Sequence, residues 1–274
     1  MNVFEAFEVQ AVFYDLIDIA RACENLTHME EKVGADDPLS KTAIDRVREA
    51  EALCKSHGFS SAYDICHTVL YELCGPGGRV ESYSALKIQV KHVAEAFLSE
   101  LRDRSFLYVR SSRKGFISNP LLLGVEVAKA FPSASRDIED AGNCLAAECH
   151  TAAVFHLMRV VEVGLRALCV HLGLRKAKTR QGKYIPITYA EWGTMLDQLH
   201  PLVEQKLSKL KRGTAKQAAQ EFYYPMLQDI RAVKDAWRNH VMHRHANYTA
   251  KQAEAILGHV KRLMSALSLK VRES

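Results

Sequence analysis

The chain has 274 residues, 48% of them hydrophobic and 25% charged, with a net charge of +5 and a pI near 8.8. This balance excludes a disordered or collagenous chain and leaves room for a sizeable core, and its mildly basic charge admits an anionic partner without requiring one. No run of about 18 apolar residues occurs, and Met1-Asn2-Val3-Phe4-Glu5 lacks the basic start and apolar centre of a secretion signal, so the expectation is a cytoplasmic protein with no membrane attachment.

Helical periodicity runs from end to end, and an all-α fold is expected. Helices are predicted over about 3–30, 39–56, 60–73 and 82–103, with Gly75-Pro76-Gly77-Gly78 as a turn. Next come Phe106-Leu107-Tyr108-Val109, a polar loop Arg110-Ser111-Ser112-Arg113-Lys114-Gly115, and Phe116-Ile117, which together suggest a small β-hairpin at the joint between two halves. Residues 1–120 then form a mostly helical N-terminal region with no role legible in sequence, and 121–274 form a helical bundle.

Residues 135–172 read as an apolar helical run interrupted near Cys149 to Thr151 and stopped by Gly173. Val154, Phe155, Met158, Val161, Leu165, Leu168 and Leu172 are expected to supply its core stripe, beside Arg159, Glu162 and Arg166. Capping boxes are predicted at Thr188/Glu191, Thr214/Gln217 and Thr249/Gln252, and Pro225 is expected to kink the helix that contains it.

Seven cysteines, at 23, 54, 66, 74, 144, 149 and 169, form no Cys-x-x-Cys pair and are odd in number, which argues for reduced thiols over a disulfide framework or a zinc knuckle. Cationic residues crowd two stretches: Arg175, Lys176, Lys178, Arg180 and Lys183, and Lys206, Lys209, Lys211, Arg212 and Lys216. The first of these is the candidate substrate-binding surface, with Arg175, Lys176, Lys178 and Arg180 as its contacts.

Trp237-Arg238-Asn239-His240-Val241-Met242-His243 sets a guanidinium, a carboxamide and an imidazole within about one and a half helical turns. Arg forks onto phosphate oxygens, Asn orients a hydroxyl or phosphate oxygen, and His exchanges protons near neutral pH, so the set can act on a phosphate without a metal or cofactor. On an α-helix Asn239 and His243 share a face and Arg238 sits one position round, while His245 competes with His243 for the same role. The spacing alone fits equally a helix end whose cations offset the dipole. A metal site built on His240, His243 and His245 is a further reading, although no nearby carboxylate completes its shell.

The stretch Ala236-Trp-Arg-Asn-His-Val-Met-His243 followed by Tyr248-Thr-Ala-Lys-Gln-Ala-Glu-Ala-Ile-Leu257 resembles bacterial HEPN-like proteins. So does Phe131-Pro-Ser-Ala-Ser-Arg-Asp-Ile-Glu-Asp-Ala-Gly-Asn-Cys144 leading to Val154-Phe-His-Leu-Met-Arg-Val-Val-Glu162, and the resemblance covers roughly residues 131–270. It implies a helical bundle, commonly a homodimer in which Arg-x4-6-His motifs meet, and often a metal-independent endoribonuclease acting as a toxin or phage-defence effector beside an antitoxin or defence-system partner. It assigns the catalytic positions to Arg238, Asn239, His243 and Glu162, with RNA as substrate. Other members of the family are inert modules that bind RNA, a nucleotide or a protein. Glu162 also reads as an ion pair with Arg159 or Arg166 on its own helix. Tyr248 lies too far from His243 to match the tyrosine found two residues past the histidine in the toxin subgroup.

Overall fold

The computed structural model describes residues 6–26, 30, 31, 33, 37–74, 82–102, 104–243 and 247–273, apart from the side chains of 6–8, 242 and 243. The turn expected at Gly75 to Gly78 lies outside the described residues. Two compact units divide the chain between Phe106 and Leu107, ahead of the break expected at 120/121. Residues 107–120 belong with the second unit because they are bonded to it: Arg113 donates to the Leu145 carbonyl at 2.6 Å and the Ser118 N–H to Asn143 Oδ1 at 2.9 Å.

The first unit is built from α1 (Ala6–Glu24), α2 (Pro38–His57), α3 (Ser60–Cys74) and α4 (Tyr83–Arg102). Helix α1 packs on α4 and α2, and α3 on α2 and α4, which closes a four-helix bundle. Apolar residues at helical spacing supply its core: Val12, Leu16 and Ile19 on α1, Val47 and Ala50 on α2, and Leu86, Val90, Val93 and Phe97 on α4. Asp37 caps α2 by accepting the Ser40 N–H at 2.9 Å and also takes the Tyr83 hydroxyl at 2.8 Å, which ties the start of α2 to the start of α4. Cys54 and Cys66 are buried together, and hydrogen bonding between the thiols, with burial, pushes the Cys54 thiol far above its usual range.

The second unit opens with a 3₁₀ turn at Ser111–Phe116 where a hairpin was expected. Phe106, Leu107 and Tyr108 are exposed and lie outside the two-stranded sheet that the described residues form. There follow α5 (Val125–Ala130), α6 (Ser135–Ala146) and α7 (His150–His171), the interruption near Cys149 falling between the last two. Strands β1 (Lys176–Lys178) and β2 (Tyr184–Pro186) form an antiparallel hairpin across the first basic stretch, closed by Gly182 at φ +83°. The chain continues through α8 (Trp192–Ser208), α9 (Thr214–Val233), a π-helical turn (Lys234–Arg238), α10 (Asn239–His243) and α11 (Ala250–Ser268). All-α architecture with a helical bundle in the second half is therefore what the chain adopts.

Helix α7 is the axis of this unit, packed by α6, α11, α8, α10 and the π turn. Gly164 permits the α11 contact: a Cβ there would lie 2.8 Å from Leu267 Cδ2 and 2.9 Å from Met264 Sδ. The capping box at Thr249/Gln252 forms in both directions. The other two expected boxes do not form: Glu191 and Gly213 hold the cap positions of α8 and α9 without a side-chain bond, because Thr188 falls in a 3₁₀ turn and Thr214 is already helical. Helix α9 runs on through Pro225, and α8 likewise contains Pro201. No described helix is long and apolar enough to cross a membrane.

Candidate functional site

The Arg-Asn pair sits at a change of helical pitch. After Val233 the chain enters a π-helical turn, the Asn239 N–H bonds the Lys234 carbonyl five residues back, and α10 then resumes the α-helical pattern. Val233, Trp237 and Val241 explain the wide turn, since all three pack on one core. In a regular α-helix each step of four residues drifts by about 40°, and a wider turn offsets that drift. Trp237 anchors the turn against His259 on α11, ring centroids 5.1 Å apart at 79°.

Arg238 and Asn239 are both half-buried, and the guanidinium carbon of Arg238 lies 6.0 Å from the centre of the Trp192 ring. Trp192 is itself buried at the first position of α8, and its indole Nε1 meets no hydrogen-bond partner among the described residues. The backbone of His243 ends α10, while its side chain, with Arg244 and His245, lies outside the described residues. Helix α10 packs on α7, and ahead of α11 the Tyr248 N–H donates to Thr151 Oγ1 on α7 at 3.1 Å.

Glu162 on α7 is held by Arg166 one turn later at 2.5 Å, the same-helix pairing that its sequence context allowed. Arg166 also donates to the Thr188 carbonyl at 2.8 Å, so this pair ties α7 to the segment leading into α8. Arg159, the other candidate partner of Glu162, turns to α6: its Nε donates to Asp137 Oδ1 at 2.8 Å, and His156 Nδ1 meets the same oxygen at 2.9 Å. This Asp137–His156–Arg159 cluster escaped the sequence reading. The signal present was His156-x-x-Arg159, one turn apart on α7, beside a polar α6.

Arg175, Lys176, Lys178 and Arg180 are exposed on the hairpin, not on an open loop. Gln198 of α8 clamps the hairpin by accepting the Lys178 N–H and donating to the Lys178 carbonyl, both at 2.9 Å. A groove of about 350 Å³ lies between hairpin and helix, lined by Lys178, Arg180, Tyr184, Thr194 and the acidic Glu191 and Asp197. The Lys178 ammonium stands 5.9 Å from the ring of Tyr184, which is 63% exposed. The first turn of α8 therefore meets the basic hairpin on one side and, through Trp192, Arg238 on the other.

Other conspicuous side chains serve packing. Tyr223 is buried and bonded to His171 at 2.9 Å, and the Tyr224 hydroxyl donates to Glu204 at 2.7 Å. Cys66 is buried while its neighbour His67 turns out to Glu51 at 2.9 Å, so the two do not act together. Burial pushes the Cys169 thiol up to about 12, as befits a small hydrophobe in a core. Among the described residues no group of three or more His, Cys, Asp or Glu converges to hold a metal ion. No known protein family, curated protein or solved structure matches the chain.

Proposed function

We propose that the second unit is a HEPN-like bundle that cleaves RNA by metal-independent transesterification, as a toxin or phage-defence effector acting in the cytoplasm. The observation that carries this reading is the setting of Arg238 and Asn239: a half-buried guanidinium and carboxamide at a π-helical turn, joined through Trp192 to the helix that walls the basic hairpin groove. π turns recur at functional sites, where the altered pitch redirects side chains.

In this scheme the 2′-hydroxyl attacks its own phosphate, Arg238 binds the phosphorane through two parallel hydrogen bonds, and Asn239 orients the reacting oxygen. His243 exchanges the proton. A homodimer would bring a second His243, and Arg175, Lys176, Lys178 and Arg180 would hold the RNA backbone. Glu162 acts by fixing Arg166 beside this region. An antitoxin or other defence-system protein is the expected regulator.

The test incubates the purified full chain with total RNA, with and without EDTA. Cleavage products ending in 2′,3′-cyclic phosphate are expected under both conditions, with losses of about 10²–10⁴-fold in Arg238→Ala and His243→Ala at unchanged helicity. Full activity in either variant ends the nuclease reading. Salt-sensitive binding with no product selects the non-catalytic module instead.

A further inference from the structure

The stripe of α7 that faces away from the core runs through Phe155, Arg159, Glu162 and Arg166, all partly or largely exposed; Phe155, expected in the core stripe, falls one position outside it. Two elements pack on this same helix: α6, tied in through Asp137 to His156 and Arg159, and α10, which begins at Asn239. The Arg-Asn segment and the Asp137–His156–Arg159 cluster thus belong to elements packed on one helix.

The cluster is chemically directed. An ionised carboxylate only accepts hydrogen bonds, so this contact selects the neutral tautomer in which the His156 nitrogen facing Asp137, Nδ1, carries the proton and Nε2 the lone pair. Nε2 bonds no described group and is not enclosed, whereas the carboxylate behind the ring is 13% exposed. Arg159 occupies the same carboxylate oxygen with Nε alone, which leaves the two terminal nitrogens of its fork for an anion. A base whose tautomer is set by a shielded acid, beside a half-fixed guanidinium, is the arrangement needed to deprotonate a hydroxyl next to a phosphate.

We infer that His156 is the general base for the 2′-hydroxyl of an RNA phosphodiester, oriented by Asp137, with Arg159 holding the phosphate. The inference rests on the nuclease reading above and assigns His243 the complementary acid. Nε2 of His156 takes the 2′-hydroxyl proton as the O2′–P bond forms. The P–O5′ bond breaks, and the departing 5′-oxygen receives a proton from the His243 imidazolium. The products are a 2′,3′-cyclic phosphate and a 5′-hydroxyl, and both rings return to their starting states by proton exchange with water.

The test uses the full chain with two oligoribonucleotides, one ordinary and one whose bridging 5′-oxygen is sulfur, a leaving group that needs no acid. His156→Asn keeps an N–H aimed at Asp137 but has no base, so a purely structural tie between α6 and α7 survives it. The expected result is a loss of about 10²–10⁴-fold in kcat on both substrates, whereas His243→Ala recovers on the sulfur substrate alone. Asp137→Asn, which can donate to Nδ1 and so move the ring proton to Nε2, is the second variant and loses the same step. Wild-type cleavage by His156→Asn, or by Asp137→Asn should the first variant fail to fold, overturns the inference while leaving the nuclease reading intact. Rescue of His156→Asn by the sulfur substrate overturns its role as base. A wild-type chain that cuts neither substrate overturns both readings.

Discussion

Residues 2–106 and residues 107–274 each close an apolar helical core, yet they place their charge in opposite ways. The first 106 residues carry 11 Lys and Arg against 18 Asp and Glu, net −7, and the remaining 168 carry 26 against 14, net +12. In the first unit several ion pairs lie at the surface, as in Arg21–Asp18, Arg48–Asp45 and Lys91–Glu24, and Glu100 is the partly buried member of its pair with Arg104. In the second, charged and polar groups enter half-buried positions: Asp137 with His156 and Arg159, Glu162 with Arg166, and Arg238 over Trp192. Exposed pairs contribute little to stability, whereas partly buried ones must be matched and held. The mildly positive net charge of the whole chain conceals this division between a net-negative and a net-positive unit.

The sharpest way to break that comparison is to move the cations. If Arg175, Lys176, Lys178 and Arg180 each neutralise one phosphate of single-stranded RNA, they account for a salt slope of about −0.7 apiece, or roughly 50-fold in affinity between about 50 and about 200 mM salt. The variant with all four changed to Ala should lose that share of the salt dependence. Arg46→Ala with Arg48→Ala, on the acidic unit, should leave the slope alone. Titrations of labelled RNA at several salt concentrations read the difference, and an equal effect from the two variants would erase the distinction between the units.

A glycine in each unit sharpens the contrast at a smaller scale. Gly142, inside α6, is a packing glycine: a Cβ there would fall 2.3 Å from the Phe116 carbonyl oxygen, which is backbone and cannot swing aside. Gly142→Ala should therefore destabilise the chain by about 1–3 kcal/mol, opposite in sign to the usual gain from Ala within a helix. Gly58, which ends α2 at φ +68°, meets nothing within 4 Å, so Gly58→Ala should bring only the left-handed backbone strain of about 1 kcal/mol. Urea unfolding compares the two, and a stabilised Gly142→Ala would show that α6 is not pressed on the 3₁₀ turn.

What could be read from the sequence divides along the range of the interactions. Helix identity and the cap of α11 depend on residues three or four apart, and Thr249 with Gln252 announces its own helix start. Arg238 and Asn239 were legible as a pair, but the π turn that presents them follows from how Val233, Trp237 and Val241 meet a core assembled from distant segments. The hairpin was missed because its strands are three residues long and Lys176-Ala177-Lys178 reads as a charge run until Ala177 is seen to be buried. Asp137 and His156 are 19 residues apart on separate helices, so no local spacing could join them.

The smallest expected effect concerns acid. In the second unit burial pushes the pKa of His171 below its ordinary value of about 6.5, and the nearby Lys206 ammonium acts in the same direction. The folded chain therefore keeps this ring neutral at a pH where the unfolded chain protonates it. Its contribution is complete above about pH 6.5 and is lost as the pH falls from there through the lower folded value. In the first unit the corresponding group is Glu24, whose carboxylate is held below its usual range by hydrogen bonds from Lys91 and Lys87. That contribution is complete above about pH 4.5 and is lost only as the pH falls further. Melting curves between pH 7 and pH 5 should show the second unit weakening while the first holds, with a shallower slope in Lys206→Ala, which removes one of the two causes acting on His171. An unchanged slope in that variant would place the acid sensitivity of this unit on some other group.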